Sequence, residues 1–380
     1  MTLSLTVYLF CVSLATANLV MAAVLLLALR KARNRHANRT LSLLMLCLAA
    51  SFFLGDILYC TPFFEHYPHL IEYDPFLSMC LGPLLYFYIL YQTRPDFRLR
   101  PRHLLHLLPL PGYFILLWGF YTSDASTKLA YLKLKDWSTI PHFALAPYFR
   151  EVQLFAYGVA CYRLLVRHGR VMRELVSSID DQQLRWLRHL LLMAAGLFAV
   201  WIVSNEFSNT SNMLGIALLF FSYWVPYHAI AQEYIFAKVG AETVLPIIQK
   251  IEEAKEVRYR NSTLSPEDIH GLMERLAGHM AHAKPHLDSD LSLTALAEQV
   301  QLNPNHLSQV LNEGFGESFY KFVNRHRVEQ SKHLLRDPAF AHYSMLGIAY
   351  QAGFSAKSTF YKAFKEAVGC SPSEFMKSEV

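Results

Sequence analysis

"GFSAKSTFYKAF", residues 353–364, decides how the last quarter of this chain is read. Gly353 supplies a turn, and helical spacing follows it. Phe360 and Phe364, four residues apart, share one face. Lys357, Ser358, Tyr361 and Lys362, with Lys365 just beyond, take the other. The pattern predicts a short helix that packs through two phenylalanines and presents cationic and hydroxyl-bearing side chains outward.

Working backward, the same plan recurs. In "LSLTALAEQVQLNPNHLSQVLNEGFG" (291–316), Leu293, Leu296, Ala297 and Val300 form one apolar face. "LNPN" breaks that helix, and Leu307, Val310 and Leu311 form the inner face of the next. Its outer face is expected to carry Asn305, Ser308, Gln309 and Asn312, side chains that can bridge base edges or phosphates. Between the two units, "SFYKFVNRHRVEQSKHLLRD" (318–337) predicts a longer helix with Phe319, Phe322, Val323, Leu334 and Leu335 inward. Upstream, Ser265 before Pro266, with Asp268 three residues on, reads as a helix start. "AETVLPIIQKIEEAKEVRYR" (241–260) reads as a short amphipathic helix, which packs on its own module or pairs in a dimer.

The rest of the chain has a different composition. Of 380 residues, 53% are hydrophobic and 17% charged, against about 25% charged in ordinary soluble domains. Residues 1–239 hold 20 Lys and Arg against 13 Asp and Glu; residues 240–380 hold 15 against 17. The net charge of +5 therefore belongs to the first half and is no argument for nucleic acid; a DNA-reading face would be a local patch.

Apolar segments at about 3–29, 41–61, 76–93, 103–122, 146–166, 189–206 and 212–233 predict seven transmembrane helices. The fourth contains Pro109, Pro111 and Gly112. Basic residues concentrate in alternate loops, at 30–39, 93–103 and 167–188, which by the positive-inside rule puts the N-terminus outside and the C-terminal part in the cytoplasm. Asp56, Arg150, Glu151 and Glu206 fall at similar depth near the outer face. They form either a polar pocket for a signal molecule or an interfacial ring wetted by headgroups and water. Six scattered cysteines lack zinc spacing, and Cys60 and Cys80 share the outer side, which leaves a bridge between them open.

The ordered series L-A-x(5)-N-P-N-H-L-S, N-R-x-R-V, I-A-x-x-A-G-F-x-x-K-S-T-F-Y-x-x-F-K and G-x-S-P-x-E-F, over about residues 277–379, resembles the AraC/XylS family of bacterial transcription regulators. The resemblance implies two helix–turn–helix subdomains (293–313 and 345–366) joined by a rigid helix (318–335). Each would put one helix into the major groove, ~34 Å apart. It maps base-contacting positions onto Asn305, Ser308 and Gln309, and onto Lys357, Ser358, Tyr361 and Lys362; Arg325 and Arg327 would fix structure or touch phosphate. Where the family often has Asn-Ser, this chain has Ser355–Ala356, which removes a hydrogen bond at the start of the second recognition helix. The N-terminal half resembles the multi-pass variety of these regulators.

The expected architecture is thus all-α: a transmembrane bundle (1–235), an amphipathic linker (236–276) and a cytoplasmic DNA-binding domain (277–380). The implied protein is a regulator in the bacterial inner membrane. Its implied partners are double-stranded promoter DNA, the lipid bilayer, a second copy of the chain, RNA polymerase and an unidentified small-molecule signal. The competing class is a receptor or transporter whose tail acts by protein contact. An enzyme is not expected, since residues 240–380 contain no glycine-rich nucleotide loop. No cofactor or metal is expected either: His279, His282 and His286, near Asp288 and Asp290, read as a solvated helix end.

Overall fold

The computed structural model describes residues 3–28, 35–93, 97–134, 145–175, 177, 181–206, 211–236 and 264–378. The expected helix at 241–260 lies outside them. The chain divides into two compact units, residues 1–165 with 186–239, and residues 166–185 with 240–380. All regular structure among the described residues is helical.

The first unit is built from α1 (Leu3–Ala28), α2 (Arg35–Phe52), α3 (Asp74–Thr93), the short α4 (Pro109–Leu116), α5 (Ala146–Leu175), α6 (Asp181–Glu206) and α7 (Ser211–Phe236). The end of α5 and the start of α6 belong to the second unit. α1 buries Val12, Ala15, Leu19, Ala22, Ala23 and Leu26 at three- and four-residue spacing. Its opposite face is also apolar, with Phe10, Met21 and Val24 exposed. A helix apolar all round is either buried within a larger protein or a membrane span. Asn18 ties α1 to α7: its Nδ2 donates to the carbonyl of Ser222 at 2.8 Å and to Ser222 Oγ at 3.2 Å.

Among the described residues, five helices are long and apolar enough to cross a bilayer: Leu5–Ala28, Arg35–Cys60, Pro68–Thr93, Trp186–Ser204 and Asn212–Ile230. The other two expected segments differ. Residues 103–122 are broken into a 3-10 turn at Pro101–Leu107, α4, and a last turn at Trp118–Tyr121. The prolines that open each of the first two pieces have no N–H to continue a helical ladder. The segment at 146–166 is one continuous helix inside the 30-residue α5, but Arg150, Glu151 and Arg163 interrupt its apolar run. Among the described residues no disulfide joins Cys60 to Cys80.

The second unit contains α8 (Pro266–His282), α9 (Leu293–Gln299), α10 (Pro304–Gln309), α11 (Phe319–Arg336), α12 (Met345–Gln351), α13 (Lys357–Val368) and α14 (Pro372–Ser378). One core joins Leu276 and Met280 of α8 with Leu293, Leu296, Leu307, Leu311, Phe319, Phe322 and Val323. A second joins Val328 and Leu334 with Ile348, Phe354, Phe360, Phe364 and Phe375. α11 serves both, its first half in one core and its second half in the other. Capping follows the sequence closely. Ser265 and Asp268 make a reciprocal box at α8, and Ser292, Asn303, Ser318 and Ser344 each accept a backbone N–H at the next starts.

Candidate nucleic-acid interface

α9–α10 and α12–α13 form the two helix–turn–helix units. In the second, Gly353 makes the turn at φ +87°. Two constraints fix glycine there. An L-residue resists that φ, and a Cβ would stand 2.2 Å from the carbonyl oxygen of His286. α13 then starts at Lys357 with Ala356 in the cap position and no side-chain cap, the departure expected from the sequence.

On α13, Lys357, Ser358, Lys362 and Lys365 are exposed. Tyr361 is half-buried; its ring lies under the Lys357 ammonium at 5.4 Å, and its hydroxyl reaches Ser373 Oγ at 3.5 Å. On α10 and the turn after it, Asn312 is exposed, and Asn305 and Gln309 are half-buried. Ser308 is not on the outer face as expected: it is 5% exposed. Asn312 Nδ2 donates to the Ser308 carbonyl at 2.8 Å and to its hydroxyl at 3.3 Å. Gln309 Nε2 donates to Glu313 Oε2 at 2.9 Å, so this amide is held by an acid four residues on. The helix closes in a π turn at Val310–Gly314. Gly314 lets α8 approach, since a Cβ there would meet Met273 Sδ at 2.6 Å.

The two linker arginines separate in role. Arg325 lies at the surface, its Nη2 3.1 Å from Glu317 Oε2. Arg327 is fully buried, and burial pulls its guanidinium down to about 10. The three histidines do not converge. His279 meets Gln299 Oε1 at 2.9 Å, and His282 meets the Gly278 carbonyl at 2.8 Å. His286 is buried against His326 with its ring centroid 5.6 Å away, and its Nδ1 has no partner. Burial first, and then the nearby His326, Arg327 and Lys284, hold His286 down to about 4.

In the first unit, Asp56 and Arg150 of the expected polar group each have partners outside that group. Asp56 accepts a hydrogen bond from the Tyr8 hydroxyl. Arg150 lies over the Trp201 ring at 4.3 Å and within electrostatic reach of Glu72 and Asp74. Tyr131 donates to Glu72 Oε1 at 3.3 Å. Glu151 is half-buried and takes no part in these contacts. The side chain of Glu206 lies outside the described residues. Sequence reasoning missed Glu72 and Asp74 by starting the third apolar segment at residue 76. The signal was two acids directly before an apolar run.

Residues 296–378 match the model of a helix-turn-helix domain family. Over 90 residues the chain is 33% identical to an uncharacterised HTH-type transcriptional regulator of Staphylococcus aureus (strain COL), covering 24% of this chain and 12% of that protein. Over 138 residues it is 24% identical to the uncharacterised HTH-type transcriptional regulator YtdP of Bacillus subtilis (strain 168), covering 36% of this chain and 16% of that protein. The chain thus spans less than a fifth of the length of these relatives. Among solved structures, the C-terminal domain of AraT, a response regulator from Geobacillus stearothermophilus, matches at 28% identity, covering 31% of this chain and 88% of that one with a TM-score of 0.25. The second unit therefore carries a helix-turn-helix domain similar to those of transcriptional regulators.

Proposed function

We propose that this protein is a membrane-anchored, one-component transcription regulator that reads promoter DNA with α10 and α13. The observation that carries the reading is the pairing of two helix–turn–helix units on one shared helix, each with amide or ammonium side chains on its free face. Asn305, Gln309 and Asn312 would meet one major-groove segment, and Lys357, Ser358, Tyr361, Lys362 and Lys365 the next, about one helical turn away. Ser308 would act by orienting Asn312.

The first unit is proposed as the bilayer anchor and receiver, with seven crossings in the bacterial inner membrane and the N-terminus outside. The apolar outer faces of its helices support that medium. The basic residues of 167–188, and the packing of 166–185 with the C-terminal unit, support one cytoplasmic side for both. Asp56 and Arg150, with Glu72 and Asp74, are proposed as the polar group that meets the signal from outside; Glu151 and Glu206 complete the candidate set. A homodimer, and contact with RNA polymerase, belong to the same reading.

The test is selection of fragments from the genome that encodes the protein, using the full chain in lipid nanodiscs, followed by footprinting. Two adjacent protected major-groove segments are expected, weakened by Lys357→Ala and by Gln309→Ala. Enrichment of no fragment, or a footprint indifferent to both substitutions, would overturn the reading.

A further inference from the structure

Ser177 belongs to the second unit, although the chain around it connects α5 to α6. It is fully buried, and each of its polar atoms is used. Its N–H and its hydroxyl both donate to the carbonyl of Leu291, at 3.3 and 2.7 Å. Its carbonyl accepts from Asn324 Nδ2 at 3.1 Å and from Arg327 Nη1 at 3.2 Å. Its hydroxyl oxygen accepts from Arg327 Nη2 at 2.9 Å.

A guanidinium has five N–H donors, and the contacts of Arg327 account for them. Nε goes to the His286 carbonyl at 2.8 Å, one Nη2 hydrogen to the Asp288 carbonyl at 2.7 Å, and one Nη1 hydrogen to Asn324 Oδ1 at 3.3 Å. These three are supplied from within residues 264–378, and Ser177 supplies acceptors for the remaining two. No carboxylate touches this buried cation among the described residues; Asp288 and Asp290 act on it from a distance. Loss of Ser177 would therefore leave a charged group with two donors to satisfy, which is costly in a dry site and tolerable once water enters.

The place matters as much as the bonds. Asn324 and Arg327 lie on α11 between Val323, which ends its part in the first core, and Val328, which begins its part in the second. The Arg327 guanidinium also faces the Phe354 ring, 5.8 Å away, beside the turn of the second helix–turn–helix unit. The contact thus sits at the junction of the two DNA-reading subdomains.

We propose that the α5–α6 connector docks reversibly on α11 through Ser177, and that this dock is the input by which displacement of α5 and α6 reaches the DNA-reading unit. Reversibility follows from the donor count: three of five Arg327 bonds, and both cores, survive undocking. α5 and α6 are continuous with the first unit, so the covalent chain delivers their motion to Ser177 without a separate messenger. The input role rests on the function proposed above; the dock itself does not.

The experiment uses the full chain in nanodiscs, as wild type, Ser177→Ala and Ser177→Trp. Hydrogen exchange is followed in peptides covering 173–182, 286–292 and 357–368. Ser177→Ala removes two hydrogen bonds, one of them to a cation, and should speed exchange of the connector by ~10-fold or more. Ser177→Trp cannot enter the buried site and should bring the connector close to its unprotected rate. In both variants the 357–368 peptide should stay within about 2-fold of wild type. Unchanged connector exchange in both variants would overturn the dock. Parallel opening of 357–368 would make Ser177 an ordinary core residue and overturn reversibility. The second measurement is affinity for the selected DNA fragment, expected to change by at least ~3-fold in Ser177→Trp, a loss or gain of about 0.65 kcal/mol. Exchange as expected with affinity unchanged would keep the dock and refute its role as input. Wild-type protein that selects no DNA refutes the function, while the exchange arm still decides the dock.

Discussion

Gly353→Ala isolates how closely the second helix–turn–helix turn approaches the segment before the first. Two costs add. An alanine held at φ +87° costs about 1–2 kcal/mol. The new Cβ would stand 2.2 Å from the His286 carbonyl oxygen and 2.8 Å from Leu287 Cα, so that carbonyl must withdraw. The same oxygen accepts the Arg327 Nε–H at 2.8 Å, and a buried charged hydrogen bond contributes about 1.5–3 kcal/mol. The expected sum is about 2.5–5 kcal/mol, a large share of the total stability of a typical domain. Gly316→Ala is the control: its φ is +67°, and nothing lies within 4 Å of a Cβ there, so it should cost only the conformational term, about 1 kcal/mol. Native-state hydrogen exchange on the full chain reads both, through the slowest amides of α13 and α11. Gly353→Ala should accelerate them by roughly 10²–10⁴-fold beyond wild type, and Gly316→Ala by roughly 10-fold or less. If the two variants fall within about 1 kcal/mol of each other, the close approach at His286 is wrong, and with it the anchoring of Arg327.

Ala356→Ser should supply the cap that α13 lacks and stabilise the second unit by about 1 kcal/mol, seen as slower exchange in residues 357–361. A pH titration of stability should show His286. Its neutral form is favoured in the fold, with a value near 4 against about 6.5 unfolded. Stability is therefore complete above pH ~6.5 and falls as pH drops toward 4, by about 1–2 kcal/mol at pH 5; His286→Phe should flatten that decline. DNA affinity should fall only shallowly with salt, and Lys362→Ala should reduce the slope by about 0.9 if that ammonium meets a phosphate; an unchanged slope would place Lys362 off the backbone.

The helix–turn–helix units were legible because local rules agreed. Caps, glycine turns and apolar faces pointed to the same helices, and the motif order gave their connection. The exception is instructive. With Leu307, Val310 and Leu311 inward, Ser308 lies about 100° around the helix from Leu307 and only about 60° from Leu311. That is a flank, not the outer face, and the structure buries it. Tyr361 holds the equivalent flank beside Phe360 and Phe364 and is half-buried. The break in the fourth segment is signalled by its prolines, Pro109 and Pro111, although its hydropathy alone reads as a span. Ser177 had no signal: its partners lie 114 to 150 positions away, and no periodicity encodes a contact between a connector and a distant helix.

On the proposed function, the near-neutral charge of the second unit suits a tethered reader better than a freely searching one. Residues 166–185 add four basic and three acidic side chains to the 15 and 17 of 240–380, which leaves the whole unit close to neutral. Two of its polar side chains are also partly restrained by acids, the proposed reader Gln309 by Glu313 and the linker residue Arg325 by Glu317. Such a unit gains little from counterion release and would bind non-specific DNA weakly. A soluble regulator of this kind would rarely be held near its operator by sliding. On the proposed reading the membrane substitutes for that attraction, because an anchored unit samples only DNA that comes within reach. Discrimination then falls on a few bidentate contacts from α10 and α13. Modest changes in how α11 holds those two helices apart would be enough to switch occupancy, and Ser177 sits at that point.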